Sequence, residues 1–379
     1  MKRIATLIIM SFTVMANVVF AQKGRIVSKG LAVDSPDGTF HTYEFTRHSV
    51  GDDDVLIEIL YSGICHSDLH QAHGDWMPGS YPMVPGHEIA GRVSAVGKNV
   101  RKFKVGDLAG VGCMVNSCGE CEHCKGGEEM FCDKRKTVYT YNSRDVFHGG
   151  EITMGGYSNN IVVDEHFAVR IPEGADLKRI APLLCAGITT YSPIMFSRVG
   201  KGDKVGVAGF GGLGHLAVQY AVSLGAEVTV FDITEEKRGD ALRLGAVRYV
   251  NVNNPEELKG LNNTLDFIIS TIPARYEPLM YVSMLKKNGE LAIVGLPANS
   301  ECPSISIGVL PYLANRKIYG SLIGGMKETQ EMLDYSVAHN IYPEVEVIPA
   351  EGAAIDEAYR KVAAGEVKFR YVIDMSTLK

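Results

Sequence analysis

Two groups of metal-binding side chains stand out in the chain, and each suits a different chemistry. Cys118, Cys121, Cys124 and Cys132 are separated by two, two and seven residues. Two-residue gaps let successive thiolates turn around one ion, and the longer gap supplies a loop that closes the tetrahedron. Four sulfurs leave no open position, so this lobe reads as a structural site, with zinc the preferred ion. An iron–sulfur site also takes four cysteines, although its usual runs differ in the last gap. Disulfides are the other alternative, but four cysteines within fifteen residues suit one metal better than several long bridges. His123 lies inside the lobe and is expected to face solvent, since four thiolates already satisfy the ion. The second group is split between Gly63-Ile64-Cys65-His66-Ser67-Asp68-Leu69-His70 and Gly86-His87-Glu88. Either segment alone is moderate evidence, because a lone cysteine is often an inert buried thiol.

A third motif lies further on. Gly209-Phe210-Gly211-Gly212-Leu213-Gly214 fits G-x-G-x-x-G, a weak pattern alone in a chain with 41 glycines. Its context strengthens it, because an apolar run precedes it and a helical pattern follows. Gly209 permits the tight turn, Gly211 lets the backbone approach a pyrophosphate, and Gly214 lets helix and strand pack. The helix start then offers free N–H groups and a positive dipole end to phosphates. Asp232 lies 23 residues after Gly209, where its carboxylate can accept hydrogen bonds from an adenosine ribose. The same charge repels a 2′-phosphate, which favours NAD over NADP, although Lys237 and Arg238 are close enough in sequence to offer a phosphate a cation.

These residues need elements to hold them. Val55–Leu60 and Ala90–Gly97 read as strands, Lys104–Asp107 as a turn, and residues 22–181 as a mostly antiparallel β domain containing the cysteine lobe at 113–133. From residue 182 to 319 strands and helices alternate: Lys204–Phe210, Glu227–Phe231, Leu265–Thr271 and Leu291–Gly295 are strand runs. Leu216, Ala217, Tyr220, Ala221 and Leu224 recur at helical spacing. This predicts a doubly wound parallel sheet, an α/β fold overall, with residues 320–379 returning to the first domain. Of the 379 residues, 46% are hydrophobic and 22% charged, the balance of a globular protein, and the net charge of −6 argues against nonspecific nucleic-acid binding. Residues 1–21 combine Lys2 and Arg3, an apolar run and Val19-Phe20-Ala21, and resemble an export signal rather than a membrane span.

Taken together, GICHSDLH, YPMVPGHEIAG, the cysteine lobe, APLLCAGITTY, GFGGLG and GSLIGGMKETQE resemble the zinc-containing medium-chain alcohol dehydrogenases, in their cinnamyl-alcohol-dehydrogenase-like branch. The resemblance covers roughly residues 25 to 375. It implies a GroES-like catalytic domain joined to a Rossmann domain, and two zinc ions per chain. It further implies that Cys65, His87 and Cys185 hold the catalytic zinc, with Glu88 beside it as a transient ligand and Asp68 orienting His87. Ser67 and His70 match the family's proton relay, and His66 matches a position that faces the cofactor pyrophosphate. Two thiolates and an imidazole leave one zinc position for substrate, the pattern of a catalytic site. Zinc would polarise the substrate oxygen as a Lewis acid while hydride passes to the nicotinamide. The implied reaction is the reversible oxidation of a primary alcohol, aromatic and allylic ones included, to its aldehyde.

Other readings accompany these residues. Ser67 alternatively caps a helix starting there. His70 alternatively sits on the surface, and Trp76 belongs either to an aromatic pocket or to the core. Cys113 and Cys302 read as buried apolar thiols. Branch members commonly prefer NADP, with a small hydroxyl residue where this chain has Asp232, whereas Lys237 matches the ribose-contacting lysine of NAD-using relatives. A polyol or sugar-alcohol substrate is the narrower alternative, and a non-catalytic zinc and thiol redox protein the wider one. The export-like start points outside the cytoplasm, whereas the need for a nicotinamide pool points inside it. A homodimer or homotetramer is expected, as in many relatives.

Overall fold

In the computed structural model, which describes residues 24–379, two sheets stand side by side, and the export-like segment lies outside the described residues. The first five strands needed here are β1 (Asp54–Ile64), β2 (Ile89–Val96), β3 (Leu108–Val111), β4 (Asn160–Asp164) and β5 (Ala168–Arg170). Six more follow: β6 (Lys204–Ala208), β7 (Glu227–Asp232), β8 (Arg248–Asn251), β9 (Leu265–Ser270), β10 (Leu285–Ile293) and β11 (Lys317–Gly320). The last two are β12 (Val345–Pro349) and β13 (Arg370–Asp374).

The first sheet runs β5-β3-β2-β1-β13-β12, with β4 also paired to β1. Its pairings are antiparallel except β12 with β13. Alternating burial along β2, where Arg92 and Ser94 are exposed between buried residues, marks a sheet with one wet face. The C-terminal strand β13 is inserted beside β1, so Tyr371 to Asp374 pair with Ile64 to Tyr61, directly before Cys65. The end of the chain thereby braces the strand that delivers Cys65.

The second sheet is parallel throughout and runs β8-β7-β6-β9-β10-β11. Its central strands are buried at nearly every position between their ends, as expected for strands covered on both faces. In sequence order this is the 3-2-1-4-5-6 arrangement of a Rossmann fold, whose order reverses between β6 and β9 and opens a crevice beyond their carboxyl ends. The glycine loop leaves β6 at that crevice.

Four helices carry the rest of the argument: α1 (His66–His73), α2 (Ala186–Phe196), α3 (Gly214–Ser223) and α4 (Met326–Ala338). No described helix is long and apolar enough to cross a membrane. Helix α3 follows the glycine loop, while α4 belongs to the returning segment, and both pack against α2. Their contact includes one polar pin: the fully buried Tyr220 hydroxyl sits 2.7 Å from Ser336 Oγ, which itself donates to the Met332 carbonyl. Tyr220 is therefore the donor of the pair. Tyr220→Phe is expected to lower unfolding stability by about 1 kcal/mol, the usual net worth of one such bond, and denaturant titration followed by circular dichroism reads the change.

Candidate active site

The site starts where β1 ends. Cys65 is the N-cap of α1, in extended conformation, and Asp68 in the first turn accepts a hydrogen bond from the Cys65 backbone N–H at 2.8 Å. Ser67 is consequently inside the helix and does not cap it. Asp68 is fully buried and serves three further donors. One of its oxygens takes the Gly86 N–H at 3.2 Å and His87 Nδ1 at 3.0 Å, and the other takes the Tyr157 hydroxyl at 3.1 Å. A proton on Nδ1 leaves His87 Nε2 with its lone pair, aimed at Cys185 Sγ 3.2 Å away. Gly86 allows this approach: its φ is +105°, and a Cβ there would lie 2.6 Å from the Tyr157 ring.

Cys185 arrives from the other side, at the start of α2, and its sulfur lies 4.0 Å from that of Cys65. Cys65, His87, Glu88 and Cys185 are all buried, with donor atoms within 4.8 Å of one another. These donors fit zinc. Bonds of about 2.3 Å to sulfur put tetrahedral sulfurs about 3.8 Å apart, and one Glu88 oxygen is buried without any partner. The other Glu88 oxygen pairs with Arg370 of β13. Burial pushes the Glu88 carboxyl up to about 8 against the opposing pull of the Arg370 guanidinium.

The cysteine lobe is equally convergent. Cys118, Cys121, Cys124 and Cys132 offer sulfurs all within 4.8 Å of one another, with Cys118 and Cys124 3.7 Å apart. Cys121 caps the five-residue helix Glu122–Gly126, which brings the Cys124 N–H to the Cys121 sulfur. His123 stands outside this set and bonds Glu128. Among the described residues a third cluster, His48, Asp145 and His148, has donor atoms equally close. Its two imidazoles are stacked, with centroids 3.6 Å apart and planes within 3°. Lone pairs confined to two parallel planes do not meet at one ion, so this is a stacked pair held by Asp145, not a metal site.

The relay candidates surround the buried centre. Ser67 Oγ is 3.6 Å from Cys65 Sγ. His70 is buried rather than superficial, and its Nδ1 bonds Asp75 at 2.7 Å while Nε2 has no partner. Asp75 is thus a site residue that motif reading missed. It lies five residues after His70, just past Gly74, whose φ of +72° ends the helix and turns the chain back. Half-buried His66 has its ring 5.0 Å from that of His70, and burial followed by the His70 charge lowers its pKa. Trp76 is half-buried, with its ring 5.0 Å from His70 and its indole N–H on the Pro297 carbonyl just beyond β10, so it spans the cleft instead of filling a core. Cys302 is exposed and Cys113 half-buried, which corrects the expectation that both are buried thiols.

At the crevice, Gly209 has φ +85°, and a Cβ on Gly214 would overlap the Gly209 carbonyl oxygen. A Cβ on Gly211 would meet nothing, so the space above it is open to a ligand. Gly212 lies against Arg370, the second missed residue, whose side chain therefore touches both the glycine loop and Glu88. Leu213 is the N-cap of α3. Asp232 ends β7, and its carboxylate accepts from Phe210 N at 2.7 Å and from Ile233 N at 2.8 Å. Arg238 is committed to Glu235 and Glu257 and lies over Tyr249, leaving half-buried Lys237 as the cation beside Asp232 without such ties.

Comparison with known proteins places these features in a wider set. The family profile "Alcohol dehydrogenase GroES-like domain" matches residues 51–173, and "Zinc-binding dehydrogenase" matches residues 212–338. The chain is 48% identical over 348 residues to a probable formaldehyde dehydrogenase of Bacillus subtilis, covering 92% of this chain and 97% of that one. It is 55% identical to a crystal structure of CAD from Helicobacter pylori complexed with NADP(H), with a TM-score of 0.89 and coverage of 93% and 99%. A cinnamyl alcohol dehydrogenase from Sorghum bicolor is 37% identical, also with a TM-score of 0.89 and the same coverage.

The four bonds at Asp68 make a specific demand. Asp68→Asn is expected to weaken zinc at the Cys65–His87–Cys185 centre by about 10- to 100-fold, as loss of a carboxylate behind a ligating histidine does. Chelator competition monitored by metal release checks this, with any ion held by the four-cysteine lobe expected to be unaffected.

Proposed function

The chain belongs to the zinc-containing medium-chain alcohol dehydrogenases, in the cinnamyl-alcohol-dehydrogenase-like branch, and we propose that this NAD(P)-dependent enzyme interconverts primary alcohols, aromatic and allylic ones foremost, with their aldehydes. The observation that carries the reading is the convergence of Cys65, His87 and Cys185, beside a partnerless carboxylate oxygen, on one buried point. Zinc held there supplies Lewis-acid polarisation of a substrate oxygen, while the nicotinamide exchanges the hydride. A second zinc in the four-cysteine lobe is structural in this reading.

The protein's own groups do the remaining work. Ser67, two residues from Cys65, takes the hydroxyl proton of the alcohol. His70, whose buried Nε2 has no partner, passes it outward. Asp75 holds Nδ1 protonated and stabilises the imidazolium that forms when Nε2 accepts a proton. Glu88 is the reserve ligand, kept from the centre by its pairing with Arg370. Arg370 also sets a guanidinium beside Gly212, where the glycine loop and the start of α3 receive a pyrophosphate. His66, at the start of α1, would serve the same phosphate. Trp76 contributes an aromatic wall beside His70, which favours a flat, apolar substrate over a polyol.

For the cofactor, Asp232 supports NAD, although the Helicobacter pylori structure holds NADP(H). Its carboxylate is fixed by backbone N–H groups at the end of β7, and Arg238 is occupied elsewhere. A 2′-phosphate would meet a fixed negative charge with only Lys237 to offset it. Two chains are expected to pair, since β11 is an edge strand and Ile307 and Tyr312 beside it are 78% and 88% exposed.

One assay tests the reading. Nicotinamide absorbance is followed with a panel of benzylic, allylic, simple primary and polyol substrates and both cofactors. Benzylic or allylic alcohols with NAD are expected to give the highest kcat/KM. Cys65→Ala should abolish turnover without changing circular dichroism, and His70→Ala should lower kcat by about 100-fold. Asp232→Ser should shift preference toward NADP. Cofactor binding without turnover of any alcohol or aldehyde would overturn the proposal, and a polyol optimum would redirect it.

A further inference from the structure

Helix α4 begins without a cap of its own. Its N-cap is Gly325, which has no side chain to accept from the first turn. The acceptor comes from the four-cysteine lobe, 197 residues earlier in sequence. Glu129, between Cys124 and Cys132, is fully buried, and one of its oxygens accepts the Met326 N–H at 2.9 Å. The other oxygen bonds His166 Nε2 at 2.5 Å. Burial alone would raise the Glu129 pKa, but these bonds outweigh it and hold the group ionised, which suits the positive end of a helix. The contact is also close-packed, since a Cβ on Gly325 would overlap the Gly127 carbonyl oxygen of the lobe.

The capped turn packs against the segment that carries Cys185. Gly324 and Met326 wall a small cavity together with Cys113, Leu184 and Ile188. Leu184 immediately precedes Cys185, and Ile188 lies in the first turn of α2 after it. A Cβ on Gly324 would press on Ile188 at 2.6 Å, so this turn and the segment bearing Cys185 are in contact with no slack.

We propose that Glu129 is a positioning residue, which caps α4 from inside the four-cysteine lobe and so holds the Ile323–Met326 turn against the Cys185 segment, shaping the substrate cleft. The proposal rests on the dehydrogenase reading for its effect on substrate, and on geometry alone for the cap. It gives the lobe a task beyond its own stability: an ordered lobe is what keeps Glu129 in place.

Two variants of the full-length, zinc-loaded protein test it by different routes. Glu129→Ala removes the acceptor, and Gly325→Ala drives lobe and helix apart while leaving the charge. Each is expected to speed hydrogen exchange in residues 323–330 by about tenfold or more, with strands β6 to β9 unchanged. Each should raise KM for the alcohol by about tenfold while kcat, cofactor KM and zinc content stay within about threefold. Glu129→Gln, whose amide oxygen can still accept from Met326, should restore both readouts. Unchanged exchange in 323–330 in both variants would overturn the cap. Local exchange without a KM change, or a KM change only alongside zinc loss or uniform exchange, would overturn its role in the cleft. If the parent protein turns over no alcohol, the dehydrogenase reading fails, and the exchange data still decide the cap. Should Glu129→Ala not fold, Gly325→Ala carries the same outcomes.

Discussion

One buried carboxylate sets the geometry on which the rest depends. Asp68 fixes the backbone of Cys65, the backbone of Gly86, the imidazole of His87 and the hydroxyl of Tyr157. A buried charge of this kind is costly unless each lone pair is used, and here four donors from three segments of the chain use them. The cost is also what makes the arrangement specific. Moving any one donor strands the others, so the end of β1, the Gly86 turn and the Tyr157 bend before β4 hold a single relative position. The Cys65 sulfur and the His87 nitrogen inherit that position.

The second requirement is that two sheets meet correctly at the cleft. Arg370 reaches from β13 to Glu88 on one side and to the glycine loop on the other. Trp76 reaches from the end of α1 to the chain after β10. Removing either partner of this buried contact would leave the other polar group stranded, so Arg370 and Glu88 hold the glycine loop and the Cys65–His87–Cys185 cluster in register. The C-terminal strand thus places Arg370 between Glu88 and the glycine loop as well as completing a sheet.

Sequence reading recovered what is encoded locally. The lobe spacing, the glycine loop and the β–α alternation each depend on residues near one another, and each has a physical pattern that spacing reports. The relation of Asp68 to His87 and the identity of Cys185 as a partner came only through family resemblance, because turns of undetermined length separate them. Arg370, Tyr157 and Glu129 carried no signal, since their partners lie 282, 89 and 197 residues away. Asp75 is different: a carboxylate just past a helix-ending Gly74 was legible as a partner for His70 and was overlooked. Cys302 was misplaced because cysteine's preference for burial says nothing about whether a given loop has a surface to cover it.

Anomalous diffraction at the zinc edge, from crystals of the protein as purified, tests the account most directly. It predicts a peak enclosed by Cys65 Sγ, Cys185 Sγ and His87 Nε2, in addition to one within the four-cysteine lobe. A catalytically active protein showing density in the lobe but none between those three atoms would contradict it.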